Sequence, residues 1–306
     1  MSSQSNIHRV TVFGGSGFLG RAIVESLVVA GIAVRVAVRN PANANIPEGR
    51  GSDSEIEAIY ANIRDETSVA QAMDGCDAVI NAVGLYVERG TETFEAVHEA
   101  GALNVAHQCT AQDIGRLIHI SGIGADLNSE SSYVRSRAKG ELLATDVFPR
   151  ITIFRPSVLF GPDDKFLNTF AKLIRASPVL PLFGAGRTKL QTVYVGDVAQ
   201  AACKALQNPG TRGKTYELGG PQAYTYRELI ELIQSRINKR LLLLPLPFLA
   251  WESMAALVSV LPVPPLTRGQ VALMKRDNVV AKNALSLQDL GVKATALEKI
   301  LPEYSF

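Results

Sequence analysis

Three glycines near the start of the chain have the spacing of a phosphate-binding loop. Gly14, Gly17 and Gly20 follow the β-branched run RVTVF and stand at the start of the amphipathic run FLGRAIVESLVVAG. In the pattern Gly-x-x-Gly-x-x-Gly, the first glycine permits a tight turn and the second lets backbone N–H groups approach a pyrophosphate. The third lets the helix pack closely on the strand. A merely glycine-rich turn is the alternative, but the flanking strand and helix favour a dinucleotide site.

The residue that ends the second predicted strand indicates which dinucleotide is preferred. A chain specific for NAD carries Asp or Glu there, about 20 residues after the loop, to hold the ribose 2′-hydroxyl. The strand here ends VAVRNP, which puts Arg39 at that point, and no acidic residue occurs between Glu25 and Glu48. A guanidinium suits a 2′-phosphate, because it can donate two charge-assisted hydrogen bonds. We predict that NADP(H) is preferred over NAD(H); the alternative is that Arg35 and Arg39 are both solvated surface residues.

Alternating strands and helices must position these residues. From residue 8 to about 155, the β-branched runs RVTVF, AVRVAV, EAIYA, DAVINAV, RLIHIS and ITIFR alternate with helical runs. Such alternation predicts an α/β fold with a Rossmann-type, doubly wound parallel sheet and right-handed crossovers. Proline and glycine taken together are denser after Arg155. We therefore predict an NAD(P)-binding domain over 1–155 and a smaller C-terminal α/β lobe over 156–306, which meets substrate or partner at the strand ends.

Composition argues against several classes of function. The chain has 306 residues, 47% hydrophobic and 20% charged, with a net charge of +2 and no long basic run. We therefore expect a folded protein without a nucleic-acid partner. Cys76, Cys109 and Cys203 are odd in number and widely spaced. This favours reduced thiols, and the four histidines form no ligand pattern with them, so no metal site is expected.

The first nine residues, MSSQSNIHR, are short and polar. They lack the apolar core of a signal peptide and the amphipathic, Arg-rich and Ser-rich character of a presequence. We expect the chain to stay in the compartment where it is made, the cytoplasm.

The segment 241–266 is unusually apolar, and Glu252 is its only charged residue. Prolines at positions 245, 247, 262, 264 and 265 interrupt it, which leaves only 248–261 free of proline. This part is shorter than the roughly 20 residues that span a bilayer. Two interpretations stay open: a buried helix of the C-terminal lobe, or an exposed apolar surface for a membrane or a hydrophobic partner.

Several blocks of the sequence resemble the extended and atypical short-chain dehydrogenase/reductases. They are GGSGFLG, NAVG at 81–84, HISGIG at 119–124, YVRSRAKGE at 133–141 and RPSVLFGPDD at 155–164. The resemblance covers nearly the whole chain. More narrowly, FRPSVLFGPDDKFLN, GAGRTKLQTVYVGDVAQA and PPLTRGQVALMKRDNVV are similar to the nucleotide-binding accessory subunit family of respiratory complex I, alpha-subcomplex subunit nine. The last two blocks are the more specific, because catalytic epimerases and reductases do not usually carry both.

The resemblance implies a catalytic Tyr-x-x-x-Lys pair, from which this chain departs. In the superfamily the lysine lowers the pKa of the tyrosine and holds the nicotinamide ribose, while the tyrosine shuttles a proton. Tyr133 matches the tyrosine, but Arg137 takes the place of the lysine. Lys139 comes two residues late, about 200° further around a helix. Tyr133 and Arg137 are therefore the candidate catalytic residues, although an arginine presents its donors differently from an ammonium.

Two further positions also depart from the pattern of the enzymes. The serine or threonine that orients a substrate carbonyl would stand two residues past Ser121, where this chain has Ile123. Ser121 itself is expected to lie deeper in the sheet, with its hydroxyl bonded to backbone. His98 stands where an asparagine is usual. The resemblance thus implies a nucleotide pocket without a complete proton relay.

The same resemblance implies the residues that contact the cofactor. Those at the phosphates are Gly14, Ser16, Gly17, Phe18, Leu19 and Gly20, and the one at the 2′-phosphate is Arg39. Asn62 and Ile63 would lie beside the adenine, and Val83 and Gly84 along the ribose. Those that would flank the nicotinamide are Tyr133, Arg137 and Pro156.

Three functions stay open at this point. The first is a non-catalytic, NADPH-binding accessory or assembly subunit of respiratory complex I (NADH:quinone oxidoreductase), peripheral on the cytoplasmic face of the inner membrane, where 241–266 meets lipid or a membrane subunit. The second is an NADP-dependent oxidoreductase or epimerase that uses Tyr133 and Arg137 on a hydrophobic substrate. The third is a redox-sensing module that reports the NADP(H) ratio to a partner. The family blocks and the missing catalytic residues favour the first.

Overall fold

Seven parallel strands form the central sheet of the computed structural model, which describes residues 7–47, 55–259, 261 and 266–306. The strands of the chain are β1 (Arg9–Phe13), β2 (Ala33–Val38), β3 (Ile56–Tyr60), β4 (Ala78–Asn81), β5 (Leu117–Ile120), β6 (Thr152–Pro156), β7 (Leu159–Phe160), β8 (Val179–Phe183), β9 (Lys189–Leu190), β10 (Val193–Tyr194), β11 (Thr215–Leu218), β12 (Tyr224–Thr225) and β13 (Leu242–Leu246). The helices are α1 (Phe18–Val29), α2 (Glu66–Met73), α3 (Gly101–Ala111), α4 (Ser132–Val147), α5 (Lys165–Ala176), α6 (Val195–Gln207), α7 (Tyr226–Ile237), α8 (Phe248–Val258), α9 (Arg268–Leu273) and α10 (Leu297–Ile300). A π-helical turn (Glu95–Ala100) leads into α3.

The order of strands across the central sheet is β11-β6-β5-β4-β1-β2-β3, and each neighbouring pair is parallel. From β1 the chain moves outward through β2 and β3, and then returns to the other side of β1 as β4. The crevice at the carboxyl ends of β1 and β4 is therefore the topological switch point, where doubly wound sheets bind ligands. The predicted Rossmann-type fold is confirmed.

Helices cover both faces of this sheet, and its inner strands β1, β4 and β5 are accordingly buried along almost their whole length. On one face α1 and α6 enclose a core that includes Val12, Ile23 and Phe154. On the other face α2, α3 and α4 enclose a core with Phe13 and Val79. Both α6 and β11 lie beyond residue 155, so the sheet layer takes elements from both sides of the predicted boundary.

A third core holds the rest of the C-terminal part together. It includes Leu167 of α5, Leu182 of β8 and Ile230 of α7, and the end of the chain packs into it through Tyr304. Local sequence signals define the helices here. The side chain of Asp164 caps α5 by accepting from the Leu167 N–H at 2.6 Å, and α7 begins with a capping box formed by Thr225 and Glu228.

Two predicted boundaries differ in the structure. The sequence predicts a strand over QTVYV at 191–195 and a helix that begins at Asp197. Only Val193 and Tyr194 form the strand, because α6 already begins at Val195. The sequence also predicts a helix near 91–111, and in the structure this helix starts with the wider π-helical turn instead of an α-helical one. Such turns recur at functional sites, and this one carries His98.

The apolar segment 241–266 divides into β13, which pairs with β8, and the helix α8. Residues 260 and 262–265 of the segment, including its last three prolines, lie outside the described residues. α8 buries Trp251 and Ala255. The side chains that stay exposed, here called the apolar surface, are Leu242, Leu244, Leu249, Met254, Leu257 and Leu261. The segment is therefore partly core and partly surface, and no helix in the described parts of the chain is long and apolar enough to cross a membrane.

Candidate dinucleotide-binding site

A cleft of about 290 Å³ opens at the switch point, beyond the carboxyl ends of β1, β2, β3 and β4. The sheet brings together here the residues that follow four separate strands. The predicted site residues that line it are Gly14, Ser16, Gly17, Arg39, Asn62, Ile63, Val83 and Gly84.

The glycine loop forms one wall of the cleft, and its backbone geometry depends on the absence of side chains. Gly14 has φ +75°, in the left-handed region, and a Cβ atom there would lie 3.1 Å from the Ala82 carbonyl carbon. A Cβ atom on Gly20 would lie 2.1 Å from the Gly14 oxygen, so only glycine lets α1 pack this closely on the loop. Gly17 precedes α1 without a side-chain cap, which leaves the first N–H groups of the helix available to an anion.

The side chains of Phe18 and Leu19 do not line the cleft. Leu19 is buried in the core between the sheet and α1. The Phe18 ring packs against Gly161, where an added Cβ atom would stand 3.2 Å from Phe18 Cζ. Both side chains therefore anchor the start of α1, and contact with a ligand at this point is left to backbone groups.

Three charged side chains surround the far end of the cleft. Arg39 follows β2 as predicted and forms an ion pair with Glu92, and both line the cleft. Arg64, which the sequence analysis did not single out, lines it as well. Its Nε donates to Asn62 Oδ1 at 3.2 Å and its Nη1 donates to the Thr91 carbonyl at 2.9 Å. Arg64 could have been identified from the sequence by its position, because it follows β3 and stands next to Asn62 and Ile63, the residues predicted to lie beside the adenine.

Tyr133 and Arg137, in the first two turns of α4, and Pro156, the last residue of β6, lie beyond the lined part of the cleft. Arg137 is buried, and its Nη1 donates to the Ile120 carbonyl at 2.8 Å. Arg137 also lies against Gly84, because a Cβ atom added to Gly84 would stand 2.7 Å from Arg137 Nη2. The Cζ of Arg137 is 5.5 Å from the centroid of the Tyr133 ring. The guanidinium thus joins the end of β5 to the loop after β4 and lies beside Tyr133. Pro156 contributes its carbonyl oxygen to the Ile123 N–H at 3.1 Å.

The position of His98 shows how the cleft wall is fixed. The Leu85 N–H donates to His98 Nε2 at 3.0 Å, so the proton of the neutral ring is on Nδ1, which lies 2.8 Å from Ser136 Oγ. Ser136 Oγ also donates to the Tyr133 carbonyl at 2.9 Å. Burial lowers the pKa of His98 to about 3, which keeps the ring neutral. His98 therefore ties the loop after β4 to α4.

A second buried histidine supports the same wall. Asn81, the last residue of β4, lies with Nδ2 3.2 Å from His119 Nδ1 and accepts from the Val83 N–H at 3.2 Å through Oδ1. Burial lowers the pKa of His119 to about 3. Neither histidine is positioned as a proton donor at neutral pH.

The hydroxyl that enzymes of this type use to orient a carbonyl is missing at its expected place. Ile123 presents its carbonyl oxygen to Asn278 Nδ2 at 3.4 Å. The expectation that the Ser121 hydroxyl bonds to backbone is wrong, because its buried Oγ has no hydrogen-bond partner among the described residues. Lys139 faces away, as expected, and pairs with Glu99 at 2.6 Å. The site can bind a dinucleotide, but no complete relay for protons appears in the described part of the chain.

Metal ligation has no support within the described ranges, where no group of three or more His, Cys, Asp or Glu side chains could hold an ion. Cys76, Cys109 and Cys203 are free and buried.

Comparison with known proteins extends these observations. Residues 10–219 match the NAD dependent epimerase/dehydratase family. An Arabidopsis thaliana protein named NADH dehydrogenase [ubiquinone] 1 alpha subcomplex subunit 9, mitochondrial, is 34% identical over 92% of this chain and 73% of its own. A Neurospora crassa protein named NADH-ubiquinone oxidoreductase 40 kDa subunit, mitochondrial, is 30% identical over 97% of this chain and 78% of its own. The structure of UDP-glucose 4-epimerase from Thermus thermophilus in complex with NAD superposes with a TM-score of 0.68 at 21% identity, over 96% of both chains.

Proposed function

Since the chain belongs to the NAD dependent epimerase/dehydratase family and, within it, to the family of alpha subcomplex subunit 9, we propose that it is an accessory or assembly subunit of respiratory complex I. In this proposal it binds NADP(H) without turning it over. The extent of the similarity supports this function, because it covers the C-terminal lobe as well as the sheet.

The observation that carries the non-catalytic part of the proposal is the state of Arg137. Its guanidinium is buried and bonded to the Ile120 carbonyl, whereas the resemblance implies a lysine here that holds the nicotinamide ribose. Ile123 offers no hydroxyl to a substrate carbonyl beside it. A nucleotide bound here therefore lacks both the lysine that usually supports the catalytic tyrosine and the hydroxyl that would orient a substrate.

The choice of NADP(H) is supported by charge. Arg39 and Arg64 both line the adenine end of the cleft, at the ends of β2 and β3. Guanidinium groups bind phosphate oxygens through paired charge-assisted hydrogen bonds, and a ribose 2′-phosphate would lie at this end.

In this role the nucleotide is a structural component. A ligand present at 100 times its dissociation constant stabilises the folded state by about 2.7 kcal/mol. Because the glycine loop, β2 and β4 all meet at the cleft, this stabilisation acts on the centre of the sheet.

The apolar surface is the proposed docking face toward lipid or a membrane subunit, on the cytoplasmic face of the inner membrane. Leu249 and Leu257 on α8 are 73% and 77% exposed. The one charged residue of α8, Glu252, is paired with Lys275 of the following segment. A patch of this kind is costly to leave in water and is typical of interaction sites.

The decisive experiment is native electrophoresis of membranes extracted with a mild detergent. Co-migration of this chain with the NADH-oxidising band supports the subunit, and release of NADPH on denaturation of that band supports the bound cofactor. Migration only as a free species of about 33 kDa or a small oligomer, through all stages of assembly, contradicts the proposal.

An NADP-dependent oxidoreductase or epimerase acting on a hydrophobic substrate is the second candidate, and the retained Tyr133 beside Arg137 favours it. Substrate-dependent loss of NADPH absorbance that disappears in Tyr133→Phe would support this candidate. In that case the apolar surface would bind substrate instead of the membrane complex.

A further inference from the structure

A short loop, residues 85–93, lines the cleft with Leu85 and Glu92 near its two ends and is here called the cleft strap. At its first end, the Leu85 N–H donates to His98 Nε2 at 3.0 Å. The next residue, Tyr86, stacks on the Tyr133 ring with centroids 5.5 Å apart and an interplanar angle of 18°. This end of the strap is therefore fixed to the nicotinamide side of the site.

The other end of the cleft strap is fixed to the adenine side by polar contacts. Arg64 Nη1 donates to the carbonyl and the hydroxyl of Thr91 at 2.9 Å and 3.1 Å. The next residue, Glu92, forms the ion pair with Arg39. The strap thus engages both of the cations that would bind a 2′-phosphate.

We propose that Glu92 determines the choice between NADP(H) and NAD(H), because its carboxylate takes the position beside Arg39 that a 2′-phosphate would need. This inference rests on the proposed binding of a dinucleotide in the cleft. Glu92 lines the cleft together with Arg39, and its side chain is 29% exposed against 63% for Arg39. The carboxylate is therefore the more enclosed of the two and is positioned by the strap.

Charge makes the two cofactors unequal at this position. A 2′-phosphate carries up to two negative charges, and it can bind Arg39 only if Glu92 moves away, since like charges in contact repel strongly. A 2′-hydroxyl has no such conflict. It can donate a hydrogen bond to the Glu92 carboxylate, as it does in NAD-specific proteins to an acidic residue that ends β2. Here β2 ends in Arg39, and the strap supplies the acidic group from a distant part of the chain.

The cleft therefore has two states, which differ in whether Glu92 is paired with Arg39. With Glu92 on Arg39, the cleft accepts NAD(H); with Glu92 displaced, Arg39 and Arg64 are both free to bind the 2′-phosphate. Binding of NADP(H) thus requires the Arg39–Glu92 pair to break.

The test is a comparison of dissociation constants for NADPH and NADH, measured by calorimetry on the full chain and on Glu92→Gln. The amide is close to the carboxylate in size but carries no charge. Glu95→Gln is the matched control, because Glu95 is exposed, lies three residues further on and does not line the cleft. The same dissociation constants are then measured for 2′,5′-ADP and ADP, which represent the adenine half of each cofactor. With these ligands the nicotinamide side of the site cannot contribute to binding.

We expect Glu92→Gln to bind NADPH and 2′,5′-ADP roughly fivefold to tenfold more tightly, the gain being limited by solvent around Arg39. NADH should bind no more tightly than before, and Glu95→Gln should match the wild type. An equal change for NADPH and NADH, or no change beyond that of Glu95→Gln, would overturn the inference while leaving dinucleotide binding intact. Absence of binding of every nucleotide to the wild type would overturn the proposed function as well.

Discussion

Gly140 lies directly against His98: a Cβ atom built on Gly140 would stand 2.0 Å from the His98 carbonyl oxygen. Gly140 is in α4 and His98 is in the π-helical turn, so this contact sets how closely the two elements approach. Tyr133 and Arg137, which precede Gly140 on α4, owe their place beside the cleft to it.

We predict that Gly140→Ala destabilises the protein, because α4 must move away from the π-helical turn to accommodate the methyl group. The free energy of unfolding should fall by roughly 1–3 kcal/mol, measured by urea denaturation. Gly269→Ala in α9 is the control, since its Cβ atom would have only an ordinary contact 3.8 Å from Thr267 Oγ1. Equal stability of the two variants would show that α4 adjusts without cost.

Arg39→Gln should weaken NADPH binding by about tenfold to a hundredfold, because a charge-assisted pair with a phosphate contributes roughly 1.5–3 kcal/mol. Binding of NADH should change much less. Arg89→Gln removes a cation from the exposed part of the cleft strap, outside the cleft lining, and should leave the ratio of the two affinities unchanged. Calorimetric titration of both cofactors checks this, and equal losses for NADPH and NADH would argue against a 2′-phosphate site at Arg39.

Stability should fall as the pH is lowered from about 6.5 toward 3. Burial lowers the pKa of His98 and of His119 from 6.5 to about 3, so in this range the unfolded chain binds protons that the folded chain does not. Each histidine contributes a loss of about 1.4 kcal/mol per pH unit within that window, and its contribution is complete above pH 6.5. Urea unfolding at pH 7, 6 and 5 measures the slope, which should become shallower in His98→Asn. The exposed His107, changed to Gln, provides the comparison, and a slope unaffected by His98→Asn would contradict the assignment of a neutral ring.

The double substitution Leu249→Lys and Leu257→Lys should abolish association with the membrane complex on native gels without lowering the melting temperature. Both side chains are largely exposed on α8, so the introduced lysines are solvated in the free protein. In the complex they would be buried against an apolar partner, which opposes association. Val29→Lys places the same charge on a residue that is 87% exposed at the end of α1, away from the apolar surface, and should leave association intact. Retained association of the double variant would assign docking to another face.

The parts of the site that sequence predicts are those fixed by local geometry. Gly14, Gly17 and Arg39 follow β1 and β2 directly, so strand order alone brings them to the same crevice. Glu92 and Arg64 were missed for a physical reason. Their roles depend on contacts between the cleft strap and the residues that follow β2 and β3, and neither periodicity nor spacing encodes these contacts.

A similar limit applies to the C-terminal part of the chain. The composition of 241–266 left a buried helix and an exposed surface equally open, because the same residues suit both. The structure divides them, with Trp251 donating from Nε1 to the Leu182 carbonyl at 3.0 Å in the interior while Leu257 faces outward on the same helix. Only packing against β8 determines which side of α8 is covered.

The position of β11 at the edge of the central sheet has a consequence for synthesis of the protein. β6 pairs with β5 on one side and with β11 on the other, and the helix α6 that covers one face of the sheet precedes β11 directly. As the chain emerges from the ribosome, β6 therefore presents an open edge and an uncovered apolar face until residue 218 has been translated. Release of the nascent chain before that point leaves a six-stranded sheet with an open edge that is prone to aggregation, although the residues that line the nucleotide cleft have by then all been made.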